Sequence, residues 1–127
     1  MPASCRAGLA VKLGLLRGEL LRRRAVTEEQ PFGPDVLVYK VAGKMYALLA
    51  WKEHPYRLSL KCDPDLAIDL RERYASVTAG YHLNKQQWNT VVCDGEVPKE
   101  ELFAWIGSSY KLVVAKMTKK LQKELAE

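Results

Sequence analysis

The side chains that could do covalent chemistry in this chain are few, and their spacing assembles none of them. A nucleophile would have to be Cys62 or Cys93, and a base His54 or His82. Cys62 falls among inward-facing strand positions and Cys93 at a strand end, where a cysteine acts as a small buried hydrophobe. With Cys5 the cysteines number three, none in C-x-x-C spacing, and no histidine pair sits at i, i+4, so no zinc site is spelled out. No glycine-rich loop leads from a strand into a helix to cradle phosphate. The acidic pairs Glu28-Glu29 and Glu100-Glu101 fall at expected element starts, where negative charge suits a helix dipole. The expectation is a protein with no catalytic residues, no metal and no cofactor.

One segment concentrates recognition chemistry instead. Tyr81-His82-Leu83-Asn84-Lys85-Gln86-Gln87-Trp88-Asn89-Thr90 brings rings, amides, a cation and an imidazole into a connection between two strands. Amides and lysine bind phosphates or base edges, and tryptophan or tyrosine stacks or wedges, so the mixture suits nucleic acid. The same residues also describe a well-packed turn. In that case Asn84 and Asn89 satisfy local backbone, Trp88 anchors the core and His82 is half-buried.

The elements that must position these residues follow from periodicity and turn chemistry. A helix is expected over Leu9 to Arg24, with Leu9, Leu13, Leu16, Leu20 and Leu21 on one face, weakened by Gly14 and Gly18. Gln30 to Asp35, with two prolines and a glycine, is a loop. Val36 to Val41 and Met45 to Trp51 form a hairpin around Ala42-Gly43-Lys44, where Gly43 supplies a positive φ. Arg57 to Cys62 alternates, with Leu58, Leu60 and Cys62 facing a core and Arg57, Ser59 and Lys61 making a basic, wet face. Asp63-Pro64 starts a helix that runs to about Tyr74. Val77 to Tyr81 and Trp88 to Cys93 are two further strands. Pro98 opens the longest helix, with Leu102, Ile106, Val113, Val114 and Met117 on its apolar stripe and Gly107 a close-packing point. A short turn or helix from Thr118 turns Lys119, Lys120 and Lys123 outward. Strands joined by short connections favour antiparallel pairing, so the fold class is α+β, an antiparallel sheet with helices on one face in the order α-β-β-β-α-β-β-α.

With 127 residues, 28% charged and 48% hydrophobic, the chain reads as one domain over 1–127 and as neither disordered nor collagenous. Lys12, Lys40, Lys44 and Lys52 break every apolar stretch well short of the roughly 18 residues a membrane span needs, so no membrane association is expected. Lys12 also interrupts the one signal-peptide-like stretch, which is read as mature sequence. Odd, scattered cysteines fit a reducing cytoplasm. The net charge of +5 is confined to the ends, +3 over residues 1–30 and +2 over 99–127, leaving the middle neutral. Basic ends can mark an anion-binding surface, although solvated helix faces carry Lys and Arg for solubility alone.

Five stretches in order resemble the MmcQ/YjbR family of small bacterial proteins: Pro31-Phe32-Gly33-Pro34-Asp35; Val41 to Ala47; Leu60-Lys61-Cys62-Asp63-Pro64; Gly80 to Lys85 with Trp88-Asn89-Thr90; and Ser109-Tyr110-Lys111-Leu112-Val113. The match runs from about Leu15, leaving residues 1–14 as an N-terminal extension, and Thr118 stands where the pattern has proline. The resemblance implies a compact α+β fold with a double-wing arrangement proposed to bind DNA, and no catalytic residues to carry over. It singles out Lys61, Tyr81, His82, Asn84, Lys85, Trp88 and Asn89 as the cluster that would form a site, and Arg57 joins them by alternation with Lys61.

Two functions are therefore expected to compete. In the first, the chain binds DNA, with Lys61, Lys85 and Arg57 on phosphate and Trp88, Asn84 and Asn89 near sugar or base. In the second, it is a protein-interaction or small-ligand module of secretion-chaperone-like fold, monomer or homodimer. That module would carry an apolar patch around Trp51, Tyr56 or Trp105.

Overall fold

The computed structural model describes residues 12–80, 83, 84 and 86–126. Among them the chain runs through α1 (Leu13–Leu21), β1 (Val26–Glu29), β2 (Val36–Val41), β3 (Lys44–Ala50) and β4 (Arg57–Lys61). It continues through α2 (Pro64–Arg73), β5 (Val77–Ala79), β6 (Trp88–Val92), α3 (Lys99–Ala115) and α4 (Lys119–Ala126). The six strands form one sheet in the order β1-β2-β3-β4-β6-β5, every neighbouring pair antiparallel. Leu37, Tyr39, Leu49, Leu58, Leu60 and Val91 project from one face into the core, where Leu16 and Leu20 of α1 and Leu102, Ile106 and Val113 of α3 meet them. The α+β architecture is the expected one.

Local chemistry explains the element ends. Ala42 and Gly43 form a two-residue turn with φ of 48° and 85°, the pair of positive values that a type I′ hairpin requires. Asp63 caps α2 by accepting from the Leu66 N–H, and Pro64 occupies the first turn. Glu100 and Glu101 lie in the first turn of α3, as their charge favours. Gly107 packs closely, since a Cβ there would meet Arg23 Nη2 at 3.1 Å.

Three expectations need correction. Glu28-Glu29 does not start a helix but closes an additional strand, β1, which its polar sequence concealed. Glu28 faces the helices, where Arg17 donates to it from Nε (2.9 Å) and Nη2 (2.5 Å) and the Tyr39 hydroxyl donates at 2.5 Å. Leu21 is 38% exposed rather than on the buried face of α1, because Leu16 and Leu20 already fill the contact with the sheet. Leu9 lies outside the described residues. Finally, the outward face of β4 is not uniformly wet, since Ser59 is buried against Thr90.

A β-bulge organises the centre. Tyr39 pairs with Ala47 and Lys40 with Met45, leaving Tyr46 unpaired in β3. Tyr46 consequently joins Ala47 on the helix side, where its hydroxyl donates to the Leu20 carbonyl and its ring meets Tyr110 edge-on at 5.7 Å. The ladder interruption is closed by α3. The fully buried Ser109 hydroxyl accepts from the Lys61 N–H (2.9 Å) and donates to the Tyr46 carbonyl (2.6 Å).

Ser109→Ala strands both backbone groups, so we expect a loss of about 2–4 kcal/mol in urea unfolding at unchanged secondary structure. The Arg17 hydrogen bond holds the Glu28 carboxyl below the usual glutamate range against the opposing effect of burial, and the Tyr39 hydroxyl adds to it. That stabilisation is complete above the unfolded value of about 4.3 and is lost as pH falls through the depressed folded value. Glu28→Gln should therefore cost about 1–2 kcal/mol at neutral pH, reduced by the half-exposure of Arg17, with the gap closing on acidification in paired denaturation curves.

Candidate functional site

The sheet face opposite the core carries Val36, Val38 and Lys40 from β2, Met45, Leu48 and Ala50 from β3, Arg57 and Ser59 from β4, and Thr90 from β6, as the register requires. The bulge at Tyr46 is what lets Met45, three residues from Leu48, share its face. No described helix packs there. The result is a groove of about 750 Å³ with a floor of Val36, Met45, Leu48 and Ala50. Phe32, 67% exposed, and Leu83 wall it.

Its polar groups are few. The Ser59 and Thr90 hydroxyls, directly opposite in register, bond to each other at 2.8 Å in the floor. Arg57 lies at one end with Nε 3.2 Å from Glu53 Oε1, both side chains about half exposed. On the helix side a void of about 20 Å³ lies beside Leu60, Leu70 and Trp105, a packing defect rather than a site.

The sequence-predicted cluster is divided by this arrangement. Arg57 borders the groove. Lys61 is half-buried at the other end of β4, where burial first and the nearby charge of Lys116 second lower its pKa. Trp88, directly opposite Lys61, is 7% exposed. Asn89 is turned to the helix side, accepting from Arg71 Nε (2.7 Å) and donating to the Ala67 carbonyl (3.2 Å), which ties α2 to β6. Asn84 is exposed and holds its turn by accepting from the Gln86 N–H. Tyr81, His82 and Lys85 lie outside the described residues. Trp88 and Asn84 therefore occupy the roles expected of a packed turn, whereas Asn89 bonds to α2 rather than to local backbone.

The thiols are equally committed to structure. Burial pushes the Cys93 thiol up to about 12, and burial with the Asp63 charge raises that of Cys62. His54 leans on Tyr56 with ring centroids 5.7 Å apart and has no described bond to either sulfur. Trp51, Tyr56 and Trp105, one of which was expected to centre an exposed apolar patch, are partly buried and pack instead against the core. Leu15, Leu66 and Ile68 are exposed on α1 and α2, and the groove's own apolar surface falls on Phe32, Met45 and Leu48, which periodicity alone assigned to a loop and to hairpin strands. The signal that could have found it was the apolar character of both faces of β3.

A family model described as YjbR matches residues 21–112. The chain is 34% identical over 95 residues to the uncharacterised protein YbdF of Escherichia coli O157:H7, covering 75% of this chain and 78% of that one. It is 32% identical over 88 residues to the uncharacterised protein YjbR of Escherichia coli K12, covering 69% and 75%. Among solved structures, Deinococcus radiodurans protein DR2400 superposes with a TM-score of 0.86 at 39% identity, covering 95% of this chain and 91% of that one. A Pseudomonas syringae protein follows at 0.70 and 25% identity, covering 80% and 98%.

The wall of the groove depends on a close approach at Gly80, where a Cβ would stand 2.7 Å from Trp88 Cβ and 3.2 Å from Leu83 Cβ. Gly80→Ala should destabilise by about 1–3 kcal/mol, since backbone must move. Gly18→Ala, with nothing within 4 Å in the middle of α1, should stabilise by about 0.5–1 kcal/mol in the same thermal denaturation series.

Proposed function

The chain belongs to the YjbR family, and from that premise we propose that it is a non-catalytic binding module whose groove on the open sheet face takes a small ligand with an apolar body. The groove itself carries this reading. A volume of about 750 Å³ falls within the roughly 300–1,000 Å³ of small-molecule sites, and an apolar lining with a few polar groups is their usual chemistry. Uncovered apolar sheet surface also has a physical cost in water that an occupant removes. The non-catalytic part rests on the groove's polar inventory. Among the described residues these are Arg57, Glu53 and the mutually bonded Ser59 and Thr90 hydroxyls, with no histidine or thiol to pair as base and nucleophile. Free Cys62 and Cys93 suit a reducing compartment such as the cytoplasm. Among the described residues no helix is long and apolar enough to cross a membrane.

DNA binding is the second reading, and one observation favours it. Lys61 and Lys116 lie close together, and neither forms an ion pair with a described residue, which suits a phosphate between them. The burial of Trp88 and the engagement of Asn89 favour the groove.

The test is titration with the neutral fluorophore N-phenyl-1-naphthylamine, alongside anisotropy of a labelled DNA duplex at roughly 50 and 200 mM salt. Saturable enhancement of the dye is expected, weakened at least roughly tenfold by Ala50→Phe, which fills the floor, and by Leu48→Asp, which charges it. Absence of dye binding together with salt-sensitive duplex binding lost in Lys61→Ala/Lys116→Ala would replace the groove with the DNA reading.

A further inference from the structure

The groove has a direction. Register sets Val36 opposite Ala50 and Ala50 opposite Arg57 at one end, and Lys40 opposite Met45 at the other. The four steps along the strand from Val36 to Lys40 separate these ends by about 13 Å at ~3.3 Å per residue. Both charged side chains in the lining, Arg57 and Glu53, are at the first end, and Met45 and Leu83 line the second. Lys40, beside the second end, is engaged by Glu29 at 3.3 Å. One end is therefore built for a polar head and the rest for a tail.

The sign of the head follows from what each charge has left to offer. Arg57 approaches Glu53 through Nε alone, between two side chains that are each about half exposed. Such a pair is worth about 0–1 kcal/mol and yields readily to a competitor. A guanidinium has five N–H donors in a planar fork, so the terminal nitrogens remain available for a second, two-point contact with a carboxylate. The Glu53 carboxylate, by contrast, already has its cation. Ala50, across the strand pair from Arg57, presents only a methyl group and leaves the fork uncrowded. The net charge of +5 adds a favourable long-range term for an anion.

Building on the proposed ligand-binding role of the groove, we propose that its ligand is an amphiphile with one carboxylate head, bound at Arg57, and an unbranched apolar tail lying along β3 toward Met45 and Leu83. The Ser59 and Thr90 hydroxyls satisfy each other beneath the tail, so a tail without polar groups strands neither.

Calorimetric titration of the full chain with decanoate, decanol and decylamine, each below its aggregation limit, separates head from tail. Decanoate is expected to bind roughly tenfold tighter than decanol. Arg57→Gln should bring decanoate to the level of decanol while leaving decanol unchanged, and Arg57→Lys should keep part of the preference. Equal binding of decanoate and decanol, or tighter binding of decylamine, overturns the carboxylate assignment and leaves the groove as an apolar site. Binding of none of the three overturns the groove reading and this assignment with it.

Discussion

A single hydroxyl sets the phase of the sheet. Where the bulge at Tyr46 interrupts the pairing of β3, one donor and one acceptor of the backbone would otherwise face each other without partners in a fully buried layer. Ser109 stands between them and satisfies both. An orphaned buried pair of this kind costs several kcal/mol, enough to decide between the bulged and the regular register. Because α3 supplies the hydroxyl, strand phase and helix position are fixed together. Tyr110, the next residue, meets the ring of Tyr46, whose own hydroxyl reaches α1. One helical turn thus links the middle strands to both major helices.

The consequence for the opposite face is larger than the bulge itself. Side chains alternate along a regular strand, so Met45 and Leu48 would lie on opposite faces. The extra residue at Tyr46 resets the alternation and assigns both to the open face, along with Ala50. A groove with an aliphatic floor therefore exists because an aromatic residue next to it was turned inward. A one-residue slip would exchange the two faces, and the tyrosine and serine that prevent it are both in the core. Packing and the candidate site are in this sense one constraint.

Much of the architecture was legible in the sequence because it rests on local chemistry. Gly43 in the hairpin turn, Asp63-Pro64 at the head of α2 and the apolar stripe of α3 each act over a few residues, and each is where its residue type suggests. β1 was not legible, since in Val26-Thr27-Glu28-Glu29 a strand-favouring start of two residues is followed at once by two glutamates. Its pairing is secured from outside, by β2 and by Arg17 and Tyr39 closing on Glu28. The same limit applies to function. Tyr81 to Thr90 contains the residue types of a nucleic-acid surface, but Asn89 meets Arg71, 18 positions away, and Trp88 is covered. Composition lists the groups a segment could present, whereas tertiary partners decide which remain available.

Ser109 illustrates the same point from the other direction. It belonged to a stretch that marked the family, and a serine inside a helix otherwise weakens it slightly. Only the bulge, 63 residues earlier, gives its hydroxyl a purpose. Arg57 stands in the opposite position. It was picked out as half of a basic face with Lys61, yet the two lie at opposite ends of one strand, and the three residues between them separate a site rim from a half-buried corner. What distinguishes them is the neighbour each has across the sheet. Ala50 leaves Arg57 open to solvent, whereas Lys61 has Trp88 beside it and a second ammonium nearby. A cation with an open fork and apolar surface on one side is equipped to hold an anionic head. A cation crowded by a like charge gains from any anion that approaches, whatever is attached to it. Under the proposed ligand-binding role, specificity therefore belongs to the Arg57 end, where charge and apolar surface meet in one groove.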